Sequence, residues 1–334
     1  MSRSARRAAV ALGLALLAAP AGAADGEGAG PPPLPRVKPD RAVVVGTGGV
    51  SGFFYAAGGA LCRVVNTRGD GPVRCLVRPS GGSLHNLRLL RRGRVDFAII
   101  QSDWQARARK GEGRFEGRPL ESLRAVLSLY GHAVTLLARD GSGIQAPADL
   151  AGKRVNVGEA GTLQRDLVTT AVNVVGPGMD ALDRAGDLAP TAVGRALCGG
   201  RYDAAGLVTA HPSGLVQQAA ARCALHAVPL EGAGRDRLLK ERPALSRSVI
   251  PGGLYPGMTE AVDTFGPRAV LVTRAAVPER LVRRVVARVF DNLKTFRRRH
   301  PVLERLSPPG MARLGLTAPL HEGAKAYYEE NGLR

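Results

Sequence analysis

The chain has 334 residues, 45% hydrophobic but only 4% aromatic, and a formal net charge of +19. Such a charge points first to nucleic acid, yet the basic residues are scattered over presumed helix faces and so few aromatics leave few platforms for stacking bases. Nucleic acid is therefore set aside as a partner, and the positive surface is read as one that concentrates and steers small anions.

In chain order, Arg3, Arg6 and Arg7 precede an apolar run from Ala8 to Ala19, and Ala21-Gly22-Ala23 offers the small residues that signal peptidase requires. The run is shorter than the roughly 20 residues a bilayer needs, and no cysteine follows it to carry a lipid. A signal peptide over 1–23 and a soluble periplasmic protein starting near Ala24 are predicted. Residues 24–39 are rich in Pro and Gly, which predicts a linker without fixed structure. The remainder, from Asp40 to Arg334, exceeds one comfortable core, so two lobes are expected.

The stretch Arg41–Tyr55, RAVVVGTGGVSGFFY, is the most informative: a β-branched strand, a glycine-dense turn and a helix start. Glycines let backbone N–H groups crowd round a ligand, and the following helix aims its positive end at the same point, so this is an anion-binding device. The spacing is not G-x-G-x-x-G, and the first acidic residue downstream, Asp70, falls in a turn-like run, which disfavours a dinucleotide fold.

A strand at Val43–Val45, a helix at Phe53–Asn66, a strand at Val73–Arg78, a helix at Ser83–Arg92 and a strand at Phe97–Gln101 follow, and this rhythm predicts a parallel α/β sheet. The segment SLRAVLSLYGHAVTLLAR reads as two strands joined near Tyr130-Gly131-His132. A second series begins with Pro147–Leu150, a short strand Arg154–Val157, a glycine-containing turn at Gly158–Gly161 and a helix from about Gln164. Two lobes that each offer a helix N-terminus can close on one ligand from opposite sides.

Thr47 and Ser51, with Gly48 and Gly49, suit a carboxylate; ordinary helix capping is the alternative. Ser83 reads as a cap, whereas Asn86, a poorer capping-box residue than Glu or Gln, is a ligand candidate. Gln101 ends an apolar strand whose carboxyl end should face a crevice, unless it is a satisfied interior amide. Trp104 and Tyr255 are cleft wall or core. His211, before Pro212, could donate to an anion or serve structure alone, as is read for His132 and His321. Cys62, Cys75, Cys198 and Cys223 form no C-x-x-C and no zinc spacing. No metal site is predicted, and an oxidising compartment permits disulfides, with 62/75 and 198/223 the local pairs among three connectivities; four buried thiols are the alternative. There is no G-x-S-x-G elbow, P-loop lysine or H-E-x-x-H, so catalysis has little support, and an exported α/β hydrolase stays as the alternative class.

Several segments together resemble a known family. They are Gly46–Gly49 with Gly52 and Tyr55, Gly82–Asn86, Gln101–Asp103, Asp149–Gly158, Ala210-His211-Pro212, Tyr255-Pro256-Gly257 and Pro319–Ala324. Their order and spacing resemble the TAXI-type solute receptors of TRAP transporters, within the type II periplasmic binding proteins. The resemblance implies a two-lobed type II periplasmic binding protein fold of α/β class with a ligand cleft between lobes. Lobe 1 would take 40–131, lobe 2 132–260, and 261–334 would return to lobe 1. It further implies a monomer without cofactor or chemistry, which captures a small carboxylate ligand of amino acid or dicarboxylate type and delivers it to TRAP-type membrane permease subunits. A sensor kinase or an ATP-driven importer could use a similar receptor. Tyr55, Gly161, Thr162, Leu163 and Gln164 join the expected ligand contacts on this basis. Where the family has a small turn, Leu163 and Gln164 are bulkier, which predicts a narrower pocket.

Overall fold

The computed structural model describes residues 42–67 and 73–334, so the signal peptide, the linker and Asp70 lie outside the described residues. Short β-branched runs alternate with amphipathic helices in the first part of the chain: β1 (Ala42–Gly46), α1 (Phe53–Val65), β2 (Arg74–Arg78), α2 (Ser83–Arg91), β3 (Phe97–Gln101) and α3 (Ser102–Lys110). Strand β1 lies between β2 and β3 and is parallel to both, and α1 buries Ala57, Leu61 and Val64 beneath the sheet. The predicted helix and strand bounds of this region agree with the structure to within a residue.

The chain then crosses into a second sheet through β4 (Leu123–Gly131) and β5 (Ala133–Arg139). There follow β6 (Arg154–Asn156), α4 (Leu163–Val175), β7 (Arg184–Gly186), α5 (Val193–Cys198), β8 (Ala204–Thr209), α6 (Gly214–Ala220), β9 (Leu225–Val228) and α7 (Ala233–Glu241). The return runs through β10 (Leu245–Ile250) and β11 (Val262–Arg274) to α8 (Glu279–Asp291), α9 (Leu293–Arg297), α10 (Pro308–Arg313) and α11 (Glu322–Glu330).

The first sheet has the order β10-β11-β3-β1-β2, with β4 also paired to β11, and the second has the order β7-β6-β8-β5-β9. The expectation of a parallel sheet needs correction. Strands linked by crossover helices are parallel, but β11 runs antiparallel to β3, β4 and β10, and β5 runs antiparallel to β8 and β9. Parallel neighbours require a crossover connection, whereas these strands enter their sheets from the other lobe.

Two backbone crossings therefore carry the lobes. The His132 N–H donates to the Pro267 carbonyl at 2.8 Å, and a Cβ on Gly266 would lie 2.1 Å from the His132 carbonyl oxygen. Only glycine permits that approach. The C-terminal helices pack back on the first sheet: α8 places Val282, Val285, Val286 and Val289 on one buried face, and the Tyr328 hydroxyl donates to the Val126 carbonyl at 2.7 Å. His321 meets the Val277 carbonyl at 2.9 Å, a structural role. Cys62 is bonded to Cys75, tying α1 to β2, and Cys198 to Cys223, tying α5 to the segment after α6.

Candidate functional site

The carboxyl ends of β1, β2 and β3 lie side by side, β1 and β2 each running through a turn into a helix and β3 running straight into α3, so the starts of α1, α2 and α3 converge where an α/β sheet opens its crevice. The turn after β1 is fixed from within. Thr47 is fully buried, and both its N–H and its Oγ1 donate to the Arg78 carbonyl at 3.0 Å. Asn86 Nδ2 donates to the Thr47 carbonyl at 2.6 Å and to the Ile99 carbonyl at 2.8 Å, while its Oδ1 accepts from Ser80 Oγ at 2.7 Å. Ser83 Oγ accepts from the Gln101 N–H at 3.1 Å. Expected as ligand contacts, the Thr47 and Asn86 side chains instead hold three strand ends together and build the cradle. Gly46 belongs to the same device, since a Cβ there would lie 2.8 Å from Asn86 Oδ1.

A cavity of about 400 Å³ opens above that cradle, lined among others by Gly48, Gly52, Phe53, Phe54, Gly82, Ser83, Gln101, Trp104 and His132. Of the expected residues, Gly48, Ser83, Gln101 and Trp104 come together here. Gly49 and Ser51 are exposed, and neither is among its lining residues. Tyr55 is half-buried and does not line it; the helix start presents Phe53 and Phe54 instead. Tyr55 is the ring expected at the ligand, but the phase of α1 turns Phe53 and Phe54 to this cavity. Phe54 stacks edge-on against His132 with ring centroids 5.9 Å apart. Burial, with a smaller push from the Arg268 cation, lowers His132 to about 4, so the ring is neutral near pH 7.

The turn after β6, on the second lobe, comes against the first lobe beside Trp104 and Arg114, although none of its residues lines that cavity. Gly158 and Gly161 have positive φ, 96° and 73°, and Thr162 caps α4 by accepting from the Arg165 N–H at 3.2 Å. Gln164 folds back over Gly158, where a Cβ would come within 2.7 Å of its Nε2, and that buried Nε2 has no partner among the described residues. Leu163 packs against both the second-lobe core and the cluster that holds Trp104, so it bridges the lobes.

Charge draws the two sides together. Arg107 on α3 forms an ion pair with Asp166 on α4, Arg242 reaches the same carboxylate at 3.5 Å, and Arg114 Nη2 contacts the Gly161 carbonyl at 3.5 Å. Arg107 Nε also lies 3.0 Å from the buried Asp103 carboxylate. Burial raises the Asp103 pKa, opposed by the Arg107 and Arg242 cations. Sequence reasoning missed this cluster, since nothing local marks Arg107 and Asp166, 59 positions apart, as partners.

His211 and Tyr255 take structural roles. His211 Nδ1 meets the Tyr255 hydroxyl at 2.6 Å and its Nε2 meets Thr135 Oγ1 at 2.9 Å, while the Tyr255 oxygen accepts from the Ser213 N–H at 2.6 Å. Burial lowers His211 to about 4 and pushes Tyr255 up to about 12. Both ring nitrogens of His211 are engaged, which corrects its expected role as an anion donor. The pair fixes the loop that follows β8.

Residues 45–332 match the model of the NMT1-like family. The chain belongs to the NMT1-like family. Among solved structures it is similar to a TctC solute binding protein from Polaromonas, at 14% identity and a TM-score of 0.52, over 89% of this chain and 99% of that one. It is also similar to the periplasmic aliphatic sulphonate binding protein SsuA from Escherichia coli, at 14% identity and a TM-score of 0.48, over 87% and 83% of the two chains. The likeness to the Polaromonas protein is one of fold, the two-lobed α/β architecture with a cleft between the lobes.

Proposed function

We propose that this NMT1-like chain is a periplasmic solute receptor that takes a small carboxylate-bearing molecule between its lobes, closes on it and delivers it to a membrane permease without chemical change. The observation that carries the reading is the convergence of three helix starts and the Gly48 and Gly82 turns on one cavity of about 400 Å³. Unpaired N–H groups of a helix's first turn and its dipole favour an anion there. The lobe division at residues 131 and 260, with a return over 261–334, belongs to this reading. Ligand contacts at Gly48, Ser83, Gln101 and Trp104, which line the cavity, belong to it as well, and the reading adds Gly49, Ser51 and Gly161–Gln164 as contacts made when the lobes close.

Among the described residues no helix is long and apolar enough to cross a membrane; export by the leader over 1–23 is part of this proposal. The TAXI-like motifs support a TRAP-type permease as the partner; uptake reconstituted with the permease and an ion gradient, without ATP, tests that step. The receptor itself is tested by native mass spectrometry of the protein as purified, followed by denaturation and identification of what is released. A bound small acid, and a smaller radius of gyration when that acid is added back, are expected. Consumption of the acid by pure protein would overturn the reading in favour of an enzyme.

A further inference from the structure

At the hinge the strands leave a second cavity of about 420 Å³, between the ends of β4, β10 and β11 and the segment Pro301–Leu306. Its floor carries a charge without a counter-ion. Arg268, on β11, is half-buried, and among the described residues no carboxylate lies within ion-pair distance of it. Burial lowers its pKa to about 10, so the guanidinium is still cationic at neutral pH. Its Nε donates to Ser128 Oγ at 2.7 Å and its Nη2 to the Leu129 carbonyl, which aims the group. Nη1 alone has no partner among the described residues.

Two neighbours add to this. The Tyr130 hydroxyl, on a residue only 4% exposed that lines the same cavity, has no hydrogen-bond partner among the described residues. Gly131 leaves a gap whose size the geometry gives: a Cβ there would lie 3.5 Å from Ser248 Oγ and 3.7 Å from Arg268 Nη1. A half-buried cation without a counter-ion and an orphaned buried hydroxyl are each costly unless something fills the space between them. We infer that the hinge cavity is a carboxylate site, in which Arg268 Nη1 and the Tyr130 and Ser248 hydroxyls donate to one carboxylate in the gap beside Gly131.

One guanidinium nitrogen and neutral hydroxyls suit a singly charged group better than a dianion. The rest of the wall is largely apolar, with Leu254, Val302 and Leu306 facing the space, so the acid has an apolar body. At the mouth, exposed Arg247 and Arg305 stand against exposed Glu304, an excess of positive charge that favours entry of an anion. The inference rests on the receptor reading but moves the anion within it: the ligand is an apolar monocarboxylic acid whose charged end is held at the hinge, and the helix starts around the Gly48 turn meet its body.

Calorimetry of the mature protein with hexanoate and phenylacetate, against the uncharged hexanamide and phenylacetamide, tests this. The acids should bind and the amides should not. Arg268→Met should weaken the acids about thirtyfold or more, the scale for truncating one partner of a buried charge pair. Arg268→Lys should weaken them less, because charge is kept while direction is lost. If Arg268→Met fails to fold, Gly131→Ala decides: its methyl enters the gap and should abolish binding while circular dichroism is unchanged. If both variants bind the acids like the parent while Gly48→Val does not, the carboxylate sits at the first-lobe turn and the hinge site is overturned, with the receptor reading intact. Failure of both acids to bind the parent also overturns the hinge site. The receptor reading has its own readout, the solute found by native mass spectrometry.

Discussion

The Arg107–Asp166 pair should set how far the cleft stands closed. Asp166→Asn keeps the size of the side chain and removes the charge that meets Arg107 from α3 and Arg242 from beyond α7. Arg107 and Asp166 are 28% and 40% exposed, so solvent screens the pair, and a contribution of about 0.5–1 kcal/mol is expected for such a site. That energy corresponds to a factor of about two to five in the ratio of closed to open molecules. The ligand is enclosed only in the closed form, so apparent affinity should fall by up to the same factor. Small-angle scattering without ligand should show a larger radius of gyration, and calorimetry with the solute released from the parent should show the weaker affinity. Both differences should shrink as salt is raised toward 1 M, where the screening length falls to about 3 Å. Arg107→Gln completes a double-mutant cycle. A coupling energy indistinguishable from zero, with unchanged scattering, would refute the reasoning and leave closure to the hinge strands alone.

Gly266→Ala should destabilise the fold by about 1–3 kcal/mol or more, because its methyl would fall 2.1 Å from the His132 carbonyl oxygen; thermal unfolding reads the loss, and an unchanged midpoint would mean that the two crossings can separate freely. Removing the Cys198–Cys223 bond as a double alanine variant should cost about 3.5 kcal/mol on the loop-entropy scale for a separation of 25 residues, measured by urea unfolding without reductant. His132 and His211 are both lowered to about 4 from 6.5. The unfolded chain therefore binds more protons between these values, so stability is fully present above about pH 6.5 and is lost as pH falls toward 4, by about 2–3 kcal/mol for each residue. His211→Gln should flatten that slope in urea midpoints recorded from pH 7 to pH 4, and an undiminished slope would assign it to other groups.

The sequence was most legible where structure is local. The β1–α1–β2–α2–β3 series follows from apolar period and glycine placement, and Phe97–Gln101 ends where its apolar run ends. What decides the site is non-local. Asn86 was legible as an unusual first-turn residue, but its partners, Thr47 in the turn after β1 and Ile99 on β3, are 39 and 13 positions away, so only the folded chain reveals that its amide is fully engaged. Tyr55 was chosen over Phe53 and Phe54 by motif, whereas helix phase selects the phenylalanines. The antiparallel return could not be read from a β-α rhythm, because β11 meets β3 far along the chain, as Ala269 does Gln101, and the Arg268 N–H beside that pair donates to Ser102 Oγ at 2.8 Å across 166 positions.

The same strand nevertheless carries a local signal of a different kind. In VDTFGPRAVLVTR, residues on both sides of Arg268 are buried and apolar, and a charge in such a run is rare unless it is paired. No carboxylate within the described residues pairs with it, and Tyr130, on the neighbouring β4, also ends an apolar strand with an orphaned hydroxyl. Both strands cross between the lobes here, so a ligand held by Arg268 and Tyr130 would sit on the backbone that must bend when the cleft opens. Binding at that point would couple directly to the angle between lobes, and the Gly48 turn and the start of α4 would then select the body of the solute as they meet around it.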